Sequence, residues 1–183
     1  MIKIKDNFLP DETFRELQNY CLEKDFETVV VGGKEFSVLE TPDNIIPFLK
    51  QPGHKITLTF IRQANELIDT KLNIHADGII QGQISSLASV LYINDSQGVT
   101  ENGTAFWEHE KHGYKLPSDC SIQEFNRLLT EDANDIEKWE QLGFYRSKQN
   151  RLLTYPSNYF HSKWPQKIES GRRVICVSFY KKI

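Results

Sequence analysis

The chain lacks any apolar run long enough to span a bilayer, and its opening, MIKIKDNFLPDE, meets charge within a few residues instead of building the apolar core of a secretion signal. A cytoplasmic protein without a membrane span is the expectation. It has only three cysteines, Cys21, Cys120 and Cys176, widely spaced and odd in number, which argues against a disulfide framework or a cysteine zinc cluster. An excess of positive charge is missing too. With 22 Lys and Arg against 25 Asp and Glu, the net charge of -3 creates no large field to draw a nucleic-acid backbone. No internal repeat, low-complexity tract or Pro/Gly/Ser-rich linker interrupts the 183 residues, so a single domain over 1–183 is expected. What is present is ordinary for a folded domain: 39% hydrophobic and 26% charged residues, enough to form a core under a solvated surface.

The apolar pattern divides the chain near residue 70. In the N-terminal part, IKIKD reads as a short strand, and Pro10 and Asp11 open a helix on which Phe14, Leu17 and Cys21 share one face. FETVVV and KEFSVLE flank Gly32 and Gly33 as a hairpin. The apolar positions Ile56, Phe60, Ala64, Leu67 and Ile68 fit a helical stripe, which predicts a second helix over 56–68. From 71 to 183 strand signals dominate: LNIHAD, SLASVLYIND, GTAFWEH, NRLLTYP, YFHSKW and RRVICVSFYKK. Short strands punctuated by turns suggest a β-sandwich or barrel. About residues 117–146 an acidic, helical insertion breaks the strands; it reads either as a surface excursion covering one end of the barrel or as an active-site lid.

The stretch NIHADG places His75 and Asp77 two positions apart, so in an extended segment both side chains project to one face while Ala76 points away. That is the local geometry of two metal ligands, and a third must come from elsewhere. Of the five histidines, His54 sits in a turn beside Gly53, and His109 and His112 lie in WEHEKHG, read as a solvated loop. Only His161 stands within a run of strands near the end, where antiparallel stacking returns it to the pair across the barrel. Two imidazoles and one carboxylate form a facial triad whose donors suit Fe(II) and leave coordination positions open.

These residues stand in a wider pattern: HAD at 75–77, LYIND at 91–95, GTAF at 103–106, NRLLTYPSNYFH at 150–161 and SGRRVICVSFY at 170–180. Together they resemble the Fe(II)- and 2-oxoglutarate-dependent dioxygenases, and within them the prolyl-hydroxylase-like branch. The resemblance implies a mainly β chain, a double-stranded β-helix (a cupin-like jelly roll) buttressed by N-terminal helices. It implies Fe(II) held by His75, Asp77 and His161, and an arginine two residues after a glycine that binds the far carboxylate of 2-oxoglutarate, which selects Arg173. A guanidinium fork matches a carboxylate. Alternation puts Arg173, Ile175, Val177 and Phe179 on one face of that strand and Arg172 on the other, toward solvent or an acidic neighbour.

Tyr92 and Tyr155 are candidates for lining the 2-oxoglutarate pocket, with core packing as the other reading. The implied activity is hydroxylation of a C–H bond on a peptide side chain or small molecule, consuming O2 and 2-oxoglutarate and releasing succinate and CO2, with ascorbate as an accessory reductant. TENGTAF carries one glycine where the family has a pair, and the Asp77–His161 interval is long; both departures bear on the substrate rather than the ligands. Two other readings stay open, a non-catalytic β-helix protein binding a metal or ligand, and a zinc hydrolase using the same three ligands.

Overall fold

The computed structural model describes residues 1–80, 82–94, 102–168 and 171–183. Asp95 and Ser170 of the stretches named above, and Thr100 and Glu101 of TENGTAF, lie outside the described residues. Two antiparallel sheets carry the fold. The larger has the order β1 (Lys3–Lys5), β10 (Arg151–Pro156), β7 (Leu87–Tyr92), β12 (Arg172–Lys182), β4 (His54–Asn65), β3 (Lys34–Glu40), β2 (Glu27–Val31). The smaller has the order β11 (His161–Trp164), β8 (Gly103–His109), β9 (Trp139–Arg146). A two-stranded hairpin, β5 (Ile79–Ile80) and β6 (Gln83–Ile84), follows Asp77.

Alternation along each strand builds a core between the sheets and another on each outer side. Ala88, Val90 and Tyr92 of β7, Leu153 and Tyr155 of β10, and Ile175, Val177 and Phe179 of β12 form one cluster with Phe106 of β8, so this cluster lies between the two sheets. The opposite side chains of the large sheet, Leu91, Val174, Cys176 and Ile61, form a second cluster with Phe14, Leu17 and Cys21 of α1 (Asp11–Glu23). Helix α1 arises where the sequence places it. Asp11 and Glu12 in its first turn suit the positive end of the helix dipole, and its apolar stripe is buried. Each fully buried Leu or Ile contributes roughly 1.5–3 kcal/mol, so these clusters dominate the stability of the layer.

The predicted helix over 56–68 is instead strand β4, paired along its length with β12. A central strand has two buried faces, so its apolar residues need not alternate strictly. The register also shifts at Thr57, where Phe179 faces Leu58 but Tyr180 faces Ile56, so Ile56 joins the outer cluster and Leu58 and Phe60 the inner one. Ile56, Phe60 and Ala64 lie four apart, a spacing that is two strand repeats as well as about one helical turn, and Leu67 and Ile68 lie beyond the strand. The only other helix of the N-terminal part is the single turn α2 (Ile46–Leu49).

The insertion at 117–146 is only partly helical. It contains α3 (Ile122–Arg127), a π-helical turn at Leu128–Asp132 and a 3-10 turn at Ile136–Lys138, but its last residues are strand β9. Leu128 and Trp139 pack with Ala105, Trp107 and Phe160 on the outer face of the small sheet, away from the inter-sheet core. Gly103 explains the single glycine of GTAF, because a Cβ there would lie 2.1 Å from the Tyr145 carbonyl oxygen of β9.

Candidate functional site

His75 is held beside β11 by a two-way backbone pairing with His161, with N–H···O distances of 3.0 and 2.9 Å. The Asp77 amide donates to the Ser157 carbonyl at 2.6 Å. In this extended segment Ile74 and Ala76 point to the outer cluster, which leaves His75 and Asp77 on the inner face beside His161. The ligating atoms of all three lie within 4.8 Å of one another. Asp77 and His161 are nearly enclosed, with side chains 6% and 7% exposed, whereas His75 at 35% opens the site to one side.

The hydrogen bonds fix the protonation pattern of the rings. His75 Nδ1 lies 2.6 Å from the Asn73 carbonyl and His161 Nδ1 lies 2.8 Å from the Tyr159 carbonyl. Carbonyls only accept, so both Nδ1 atoms donate and, in the neutral rings, both Nε2 atoms present lone pairs. Those lone pairs face the Asp77 carboxylate, at 3.3 Å from His75 and 3.2 Å from His161, and Asp77 Oδ2 accepts no hydrogen bond although it is buried. Burial raises the Asp77 carboxyl pKa, but the neighbouring imidazoles more than offset this and hold it well below the usual carboxylate range. For His161, burial lowers the pKa and the Asp77 carboxylate outweighs that, raising it. Three electron-pair donors converging on one point can hold a divalent transition metal, with the carbonyl contacts orienting the rings.

A second buried group has one nitrogen without a partner. Arg173 is 5% exposed, its Nε makes no hydrogen bond, and its Cζ lies 5.8 Å from the centre of the Tyr92 ring. Burial lowers its pKa, which expresses the cost of enclosing a guanidinium, and the pull of Asp69, itself paired with Arg62, does not offset it. Two nearby cations are spent otherwise: Arg62 pairs with Asp69, and Lys163 donates to the carbonyls of Lys71 and Gln166. The site can therefore take an anion at Arg173. Arg172 is on the opposite face as alternation predicts, but among the described residues it pairs with no acidic side chain. It donates to Gln63 Oε1 and the Cys21 carbonyl, each at 3.1 Å, and lies over Phe26.

Tyr92 and Tyr155 are both enclosed in the inter-sheet core. The Tyr92 hydroxyl is 2.7 Å from Thr104 Oγ1, and the Tyr155 ring lies 4.7 Å from His161 and 5.1 Å from Phe106. The solvated-loop reading of HEKH does not hold for His109, which is 2% exposed. Its Nε2 lies 3.1 Å from Asp132, which also takes Lys138 and Arg127, while His112 bonds Glu124. The acidic insertion supplies those carboxylates, and no sequence pattern announced the pairing. Sequence reasoning also missed Asn73, whose positive φ of 51° turns its carbonyl toward His75; an asparagine directly before the segment was the available signal.

A family model described as "Family of unknown function (DUF6445)" matches residues 59–170, a region containing His75, Asp77 and His161 and stopping short of Arg173. No curated protein matches the chain. Among solved structures, the chain is similar to HygX from Streptomyces hygroscopicus with nickel, 2-oxoglutarate and hygromycin B bound, at TM-score 0.61 and 10% identity, covering 99% of this chain and 82% of that one. It is also similar to the non-heme alpha-ketoglutarate-dependent carbocyclase SnoK from nogalamycin biosynthesis, at TM-score 0.69 and 12% identity over 98% and 78% of the two chains. A Pseudomonas putida prolyl-4-hydroxylase gives TM-score 0.55 and 10% identity over 100% and 92%. At these identities the likeness is one of fold, the jelly roll of two antiparallel sheets. The family model spans more than half of the sequence, and by that match the chain belongs to DUF6445, a family of unknown function.

Proposed function

We propose that this chain is an Fe(II)- and 2-oxoglutarate-dependent dioxygenase that hydroxylates a C–H bond of a small molecule or a peptide side chain. The observation that carries the reading is two buried polar atoms without a hydrogen bond, Asp77 Oδ2 among three converging donors and Arg173 Nε, whose guanidinium lies over Tyr92 of the inter-sheet core. The first suits a metal and the second a carboxylate, which are the two ends of an iron-bound 2-oxoglutarate.

Fe(II) with 2-oxoglutarate bound supplies an oxidant able to hydroxylate an unactivated C–H bond, with succinate and CO2 as co-products. In this reading His75, Asp77 and His161 hold the metal, and the carbonyls of Asn73 and Tyr159 keep both Nε2 atoms aimed at it. Arg173 anchors the far carboxylate in an enclosed site where a charge-assisted contact is strong. Tyr92 and Tyr155 wall the cofactor pocket, and the apolar inter-sheet core excludes water from it. Helix α1 stiffens the outer face of the large sheet, and the whole chain acts as one domain. The three cysteines are free and no helix among the described residues is long and apolar enough to cross a membrane, which accords with a cytoplasmic location.

The test is succinate release from 2-oxoglutarate with Fe(II) and O2 against a panel of metabolites and peptides. Succinate that requires Fe(II) and disappears in Asp77→Ala supports the reading. Iron bound at the triad without succinate from any member would favour a binding protein, and activity restored by zinc alone a hydrolase.

A further inference from the structure

The small sheet carries a row of facing residues across its strands. His75 pairs with His161, His161 with Phe106, and Phe106 with Gly143. Directly paired residues of neighbouring strands point to the same face, so the row runs from two candidate ligands, over a phenyl ring, to a position with no side chain. Ring centres are 4.5 Å apart for His75 and His161 and 6.1 Å for His161 and Phe106. At Gly143 a Cβ would meet nothing within 4 Å. The φ of Gly143 is not positive, so the backbone does not demand glycine; the missing side chain keeps the space beside Phe106 open.

That space is a half-open hollow of about 140 Å³, lined by Ile2, Phe106, Tyr114, Gly143, Tyr145 and Tyr159. Its rings already adopt edge-to-face geometry around Phe106, with Tyr145 at 5.5 Å and Tyr159 at 6.5 Å, and Tyr114 stands edge-on to Tyr159 at 5.3 Å. None of the residues lining it is charged. A volume near the roughly 150 Å³ that holds one benzene ring, open on one side and bounded by aromatic edges and faces on the others, suits a single flat uncharged ring. Neighbouring strands are about 4.8 Å apart, so Gly143, two strands from His161, lies roughly 10 Å from the triad.

We propose that the cavity at Phe106 and Gly143 is a substrate-anchoring subsite for an uncharged aromatic ring, which places the substrate's reacting carbon some 10 Å from that ring, along the row toward the triad. The proposal rests on the oxygenase reading for its word substrate, and its test separates the two.

Phenol, benzoate, benzylamine and N-acetyltyrosinamide are titrated by NMR into the wild-type chain and into Gly143→Val and Gly143→Ala, with Mn(II) as the metal probe. Phenol or N-acetyltyrosinamide should bind, the tighter of the two telling a small-molecule ring from a peptide side chain, and the two charged rings should bind at least about tenfold more weakly. Gly143→Val should weaken the neutral ring at least about tenfold and Gly143→Ala less, because an added Cβ meets nothing within 4 Å and valine takes up more of the hollow than alanine. Mn(II) affinity serves as the folding control, and bound Mn(II) should relax the ring protons as expected for roughly 10 Å. Ring affinity unchanged in a folded Gly143→Val, equal binding of charged rings, or no relaxation by bound Mn(II) would overturn the proposal. A chain that binds the ring in a Gly143-dependent way but binds no metal would overturn the oxygenase reading and leave the cavity established as a ring-binding site.

Discussion

His161 and Asp77 face each other at short range: Nε2 lies 3.2 Å from a buried carboxylate oxygen while Nδ1 of the same ring is committed to the Tyr159 carbonyl, so the neutral ring sets an electron pair against the carboxylate. Such a contact is at rest when a cation sits between the two atoms. Anaerobic reconstitution should give one Fe(II) per chain, and His161→Ala or Asp77→Ala should lower metal affinity by roughly 10- to 100-fold or more. His109→Ala should keep its iron. Iron retained in His161→Ala and lost in His109→Ala would mean that the wrong histidine was assigned.

Arg173 and Arg172 are adjacent in sequence and opposite in environment. Arg173 is enclosed with an unspent Nε, and Arg172 is occupied with Gln63 and the Cys21 carbonyl. A charge-assisted contact with a carboxylate is worth roughly 1.5–3 kcal/mol, so Arg173→Ala should weaken 2-oxoglutarate at least about tenfold. Arg173→Lys should also bind less tightly, because an ammonium cannot reproduce the fork. Arg172→Ala should change the dissociation constant little and lower thermal stability by loosening α1. A larger binding defect in Arg172→Ala would reverse the assignment.

The parts of the fold legible in the sequence are those where one physical rule acts alone. Alternation was enough to pair His75 with Asp77 and to separate Arg173 from Arg172, and helical spacing was enough for Phe14, Leu17 and Cys21. Strand β4 was misread because it packs apolar residues on both faces and because the four-residue spacing of Ile56, Phe60 and Ala64 fits a strand as well as a helix. Strand β9 was hidden by the acidic segment before it. The facing of Phe106 and Gly143 depends on strand register, which no local pattern encodes; a glycine inside WEQLGFYR was the one visible trace.

Asp132 should prove a structural keystone of the outer layer rather than part of the chemistry. Its side chain is fully enclosed and takes Lys138 at 2.5 Å, Arg127 at 2.7 Å and His109 at 3.1 Å. Removing it strands those donors, and Asp132→Asn should cost about 3 kcal/mol in urea unfolding at pH 7. Burial raises its carboxyl pKa, but Lys138, Arg127 and His109 outweigh that and leave it lowered. A carboxyl lowered in the folded state stabilises above its unfolded pKa, near 4, and loses that contribution as pH falls toward the folded value. The wild-type and Asp132→Asn stabilities should therefore converge below about pH 4. A gap unchanged between pH 7 and pH 3 would show that the charge of Asp132 is not what matters.

The central claim is that one enclosed site joins a metal at His75, Asp77 and His161 to a dicarboxylate held by Arg173. The measurement that tests it most directly is the affinity for 2-oxoglutarate by anaerobic calorimetry, with and without Fe(II), in the wild type and in Asp77→Ala. If both ends of the ligand are held, Fe(II) should tighten 2-oxoglutarate binding at least about tenfold in the wild type, and by reciprocity 2-oxoglutarate should tighten Fe(II) by the same factor. In Asp77→Ala that coupling should vanish while the weak binding at Arg173 persists. Affinity for 2-oxoglutarate that is the same with and without Fe(II) in a wild-type chain that binds the metal would contradict the account.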